Sequence, residues 1–116
     1  MSVDMGTWRK VVEQIVKGIA DEELQRRAWF GIGPEESSPD EMTNQFFGDA
    51  AIEEFLRRRD TRLNDLQIKS GKHLIILMNE FSKQTPEVID PSKAIDDPRW
   101  RQIREAAGRF SDLLSR

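Results

Sequence analysis

The chain has no cysteine and a single histidine, and no apolar run longer than the five residues Leu74–Met78. Without cysteine there is no disulfide framework, no thiolate zinc site and no thiol nucleophile, which fits a reducing compartment. Five apolar residues fall far short of the ~20 needed to span a bilayer. The start, Met1-Ser-Val-Asp-Met-Gly, lacks the basic and apolar regions of a signal peptide. A soluble cytoplasmic protein that does not enter the membrane is expected.

The chemistry-bearing motifs are also missing. There is no GxSxG elbow, Walker loop or dinucleotide fingerprint. Gly31-Ile-Gly-Pro lacks the third glycine, follows a helical pattern instead of a strand, and runs into Glu35-Glu36, which would repel phosphate. Asp90 to Asp97 resembles a calcium loop only superficially, because Ile95 stands where the sixth-position glycine is required. The lone His73 lies within an apolar stretch beside Lys72, where a structural role at the edge of the core is expected. The expectation is a non-enzymatic protein with no catalytic residues, no metal and no cofactor.

What is present is helical periodicity. At 116 residues the chain fits one domain with one core, spanning 1–116. Trp8, Val11, Val12, Ile15, Val16 and Ile19 repeat at helix spacing, with Thr7 as the expected N-cap. A short helix is expected from Asp21 to Phe30, broken by Gly31-Ile-Gly-Pro34. Ser38-Pro39-Asp40-Glu41 reads as a capping box with a first-turn proline, opening a helix that carries Phe46 and Phe47. Asp49 is expected to cap the next helix, whose stripe is Ile52, Phe55 and Leu56. Leu63, Leu66, Leu74, Leu77, Met78 and Phe81 predict one long central helix over 61–84, and Gly71 within it is a weak point. Residues 85–96 read as a loop, and Asp97-Pro98 starts a last helix with Trp100, Ile103, Ala107, Phe110 and Leu114 inside. The sum is an all-α irregular orthogonal bundle of about six helices around the 61–84 helix.

Charge is distributed unevenly. From Ala28 to Leu56 there is no Lys, Arg or His, but there are Glu35, Glu36, Asp40, Glu41, Asp49, Glu53 and Glu54. The window therefore carries −7 and the rest of the chain +4. Such asymmetry can steer an oppositely charged partner. Helix starts account for Asp40, Glu41 and Asp49, and core packing for Phe46, Phe55 and Leu56. The remainder, Trp29-Phe30-Gly-Ile-Gly-Pro-Glu-Glu-Ser-Ser, combines aromatics, an exposed-type loop and a carboxylate pair. Trp29, Phe30, Glu35, Glu36, Asp40 and Glu41 are the expected partner-binding residues.

Basic residues cluster too: Arg57, Arg58, Arg59, Arg62, Lys69 and Lys72, and five arginines in the last eighteen residues. Such clusters suit nucleic-acid phosphates, but a pI near 5.2 lies well below the ~9 typical of basic binding domains. A nucleic-acid-associated regulator is thus the alternative reading, and a homo-oligomer, such as a homodimer, burying its Trp and Phe pairs is a third.

Arg26-Arg-Ala-Trp-Phe-Gly-x-Gly-Pro-Glu-x-Ser-Ser-Pro, followed by Phe46-Phe47 and Glu54-Phe55-Leu56, resembles small bacterial proteins with the profile of immunity proteins from polymorphic-toxin and contact-dependent inhibition systems. The resemblance covers about residues 24–56. It implies a small acidic inhibitor whose protein partner is a basic toxin domain, with no catalytic motif of its own.

Overall fold

The computed structural model describes residues 4–85 and 89–116. Among them there are seven α-helices and no strand. The helices are α1 (Met5–Ala20), α2 (Glu22–Trp29), α3 (Pro39–Asn44), α4 (Ile52–Arg57), α5 (Asp65–Gln84), α6 (Pro91–Ala94) and α7 (Pro98–Leu114). A π turn, Gln45–Asp49, follows α3, and a 3-10 turn, Arg59–Thr61, follows α4.

The last helix lies between the other two long ones, packing against both α1 and α5. Its sequence explains why. Trp100, Ile103, Ala107, Phe110 and Leu114 make one face, and Ala106 widens it enough to meet two neighbours; all six are buried. Val12, Val16 and Ile19 of α1 and Leu74, Met78 and Phe81 of α5 close on that face. Phe46, Ile52 and Phe55 from the middle segment complete the core. Edge-to-face aromatic contacts run from Trp29 to Trp100 and on to Phe81, each pair 5.4 Å between ring centroids. That geometry places ring edges against ring faces and is worth about 0.5–1.5 kcal/mol per pair beyond burial.

Several caps are as the residue types predict. The side chains of Asp21, Ser38 and Asp97 accept from Leu24 N, Glu41 N and Arg99 N, although the Glu41 side chain does not return the second bond of the expected capping box. Others differ. The first helix starts earlier than Thr7, because Asp4 accepts from both Thr7 N and Thr7 Oγ1, and a carboxylate is the stronger capping acceptor. Asp49 caps nothing. The chain turns into α4 through Ala51 at φ 45, a left-handed conformation with no side-chain cap. Here Ala50 N donates to Gln45 O, the five-residue bond of a π turn, and Ala50 O accepts from Trp8 Nε1 at 2.7 Å.

The long helix begins at Asp65, four residues after the expected start. Arg62 is left-handed at φ 56, and a full capping box forms between Asn64 and Gln67, each side chain accepting from the other's backbone N–H. Leu66 and Ile76 face solvent, at 65% and 53% exposure, so the apolar surface does not continue round the helix. His73 is exposed on the same helix, away from the core edge. Gly71 does not interrupt the helix. A Cβ there would lie 2.9 Å from both Leu56 methyls and 3.1 Å from Phe110 Cζ, so glycine allows α4 and α7 to close on α5. Within the expected loop 85–96, α6 is capped by Asp90 and starts on Pro91; residues 86–88 of that loop lie outside the described residues.

Candidate functional site

The segment from Trp29 to Glu41 leads out of α2, which is held in place through Gln25. This side chain is fully buried on α2. Its amide Nε2 donates to Gly18 O at 3.1 Å and Ile19 O at 2.8 Å, carbonyls in the last turn of α1. Its Oε1 accepts from Trp100 Nε1 at 3.1 Å and Arg104 Nη1 at 3.3 Å. All four hydrogen-bonding positions of the amide are used. Arg104, itself buried, also donates to Ile95 O and pairs with Glu22 at 3.3 Å. One residue of α2 thus ties the end of α1 to α7.

After α2 the chain turns through Gly31 at φ 68, a conformation that favours glycine. The loop is fastened at two points, with Ile32 N donating to Arg27 O at 2.9 Å and Ser37 N to Ala28 O at 3.3 Å. Gly33 lies against Arg27 and Glu35: a Cβ there would meet Glu35 Oε2 at 2.9 Å. Phe30 and Ile32 are held outward on this pinned loop, at 43% and 75% exposure.

The six expected binding residues divide by tertiary context. Trp29 is 7% exposed and packs on Trp100, so it is a core residue and not a surface anchor. Asp40 is committed to the fold: its Oδ2 accepts from Ile89 N at 3.0 Å, holding the start of α3 against the segment before α6. Glu35 is shared with Arg27, which stands 3.6 Å away and also pairs with Glu23 at 3.2 Å. Phe30, Glu36 and Glu41 are exposed, and neither carboxylate has an ion pair among the described residues. Ile32 was not among the expected residues. Its signal was available, since an isoleucine between two glycines belongs to no helix stripe.

Beside the loop, α1, α2 and α3 enclose a groove of about 300 Å³. Ile15, Leu24, Ala28 and Met42 line it, together with Glu35 and Glu36 of the loop and Gln14 and Gln45. A second groove of about 330 Å³ lies between α4 and α5, floored by Leu56, Ile75 and Ile76 with Glu53, Arg57 and Lys72 around it.

The basic clusters are partly consumed internally. Arg57 pairs with Glu54 at 2.7 Å, and Arg58 forms a two-bond pair with Asp60 while stacking 5.4 Å over Trp8. Arg99 is engaged by Asp97 and Arg104 is buried. Trp29 and Phe46 are buried within one chain, so they are not available to a dimer contact. Among the described residues no three His, Asp or Glu side chains gather to hold a metal ion, and no helix is long and apolar enough to cross a membrane. Comparison with family models, curated proteins and solved structures gives no match.

Proposed function

We propose that the protein is a non-enzymatic binding module of the immunity or inhibitor type, which engages a basic protein partner through the loop between α2 and α3. The observation that carries this is the pair Phe30 and Ile32, exposed on a loop pinned at both ends and followed along the chain by the exposed carboxylates Glu35, Glu36 and Glu41. A pinned loop loses little conformational entropy on binding, so more of the contact energy appears as affinity. Burying what remains exposed of the two side chains is worth roughly 1–2 kcal/mol each. The carboxylates act chiefly on encounter, raising the association rate for a cationic surface.

The reading expects a secreted protein with a basic C-terminal domain to be encoded immediately upstream. It expects that domain to bind this chain. Replacing Glu35, Glu36 and Glu41 by Gln should slow association about tenfold or more at low salt, with the difference closing at high salt. Phe30→Ala with Ile32→Ala should instead speed dissociation. Asp40 is left intact, because its loss would disturb the fold through Ile89. Affinity untouched by both sets of changes would overturn the proposal, as would an upstream metabolic operon.

A further inference from the structure

The groove between α1, α2 and α3 has a lining that suits one kind of guest. Its walls are Ile15, Leu24, Ala28 and Met42, its charged groups are Glu35 and Glu36, and no basic side chain is among its lining residues. We propose that it receives a single arginine side chain of the basic partner, with the methylene stem against the apolar walls and the guanidinium at the carboxylates. This rests on the partner-binding reading above and adds the contact that sets its specificity.

Size and chemistry select that guest together. A volume of about 300 Å³ sits at the lower limit of ligand pockets, which run from roughly 300 to 1,000 Å³, and so matches one long side chain better than a whole small molecule. An apolar guest would strip water from Glu36 and return no hydrogen bond. An anion would be repelled. A lysine offers one compact charge, whereas a guanidinium offers five donors in a fixed plane. Glu35, Glu36, Ser37 and the Gln14 and Gln45 amides supply acceptors for them. Arg27 already occupies part of Glu35 from outside the groove, so Glu36 carries most of the recognition.

The test uses the whole chain, labelled with nitrogen-15, titrated with N-acetyl-arginine amide and followed by amide chemical shifts. Lysine and citrulline amides are the comparisons, citrulline having the arginine shape without the charge. Arginine should give saturable shifts at Gly18, Glu36, Ser37 and Gln45, with a dissociation constant on the order of millimolar for so few atoms. Lysine should bind more weakly and citrulline at least tenfold more weakly. Glu36→Gln should weaken arginine binding about tenfold. Gly18→Met should abolish it by filling the groove; a Cβ at Gly18 makes only an ordinary contact, with Leu24 Cδ2 at 3.7 Å. An unchanged spectrum elsewhere verifies that fold. Non-saturating shifts spread over the acidic surface, an equal response to citrulline, a preference for lysine, or binding retained in Gly18→Met would each overturn the proposal. If the toxin-type domain still binds when the arginine probe fails, the groove assignment alone falls; if both fail, the partner reading falls with it.

Discussion

Gln25→Met should destabilise the protein by about 3–5 kcal/mol, although the new side chain is apolar, similar in length and placed in a core. The figure follows from what the amide leaves behind. Gly18 O keeps the Asp21 N–H at 3.2 Å, and Arg104 keeps Ile95 O and Glu22. Trp100 Nε1 and Ile19 O keep nothing, since Gln25 is their partner. Each orphaned buried group costs about 1–3 kcal/mol, and a weakened hold on the buried Arg104 cation adds to this. Against a total stability of roughly 5–15 kcal/mol, such a loss is large. Equilibrium urea unfolding followed by far-ultraviolet circular dichroism measures it as a lower midpoint at unchanged slope. The melting temperature should fall by roughly 12–20 °C, at about 4 °C per kcal/mol for a domain of this size. Trp100→Phe removes one orphan in advance, so the double variant should cost clearly less than the sum of the two single ones. A loss below about 1 kcal/mol, or additive costs in the cycle, would refute the claim that this network fastens α2.

Gly71→Ala should not deliver the ~1 kcal/mol expected from helix propensity, because its Cβ collides with Leu56 and crowds Phe110; a full gain in chemical denaturation would refute the close-packing account. Arg62→Gly should stabilise by about 0.5–1 kcal/mol by relieving the left-handed backbone, whereas Arg62→Lys should change nothing in the same assay. Asp97, hydrogen-bonded by the Arg99 side chain and then by its backbone N–H, has its carboxyl held below the ordinary value of 3.8. Its lowered value means a contribution that is present above pH 3.8 and lost as pH falls through the folded-state value. Asp97→Asn keeps a capping acceptor but loses the charge, so it should give up that contribution at neutral pH, approach the parent as pH falls, and so make the acid limb of the stability curve shallower; an acid limb identical to that of the parent would count against the pairing.

The elements legible in the sequence are those set by neighbours within one or two turns. The Ser38-Pro39 and Asp97-Pro98 starts, the break at Gly31, and the inner face of α7 from Trp100 to Leu114 all follow from capping chemistry and the 3.6-residue period. Where two local signals competed, the order of strength mattered: Asp4 displaced Thr7 as a cap, and the Asn64–Gln67 box moved the start of α5 to Asp65.

By itself, then, the sequence determined an all-α chain, the starts of α2, α3 and α7, and an acidic segment with no basic residue from Ala28 to Leu56. Tertiary structure decided which of those acids and aromatics face outward. Trp29 turned inward because Trp100, far along the chain, offers it a ring face, while Phe30, one residue on, lies past the end of α2 and stays exposed. Asp40 was withdrawn from the surface role by the amide of Ile89, forty-nine residues away. The value of Gln25 exists only once α1 and α7 meet α2, and the groove beside Glu36 only once α1, α2 and α3 are brought together. Capping and periodicity act over a few ångströms of contiguous chain, whereas exposure and pairing depend on which distant segments arrive alongside.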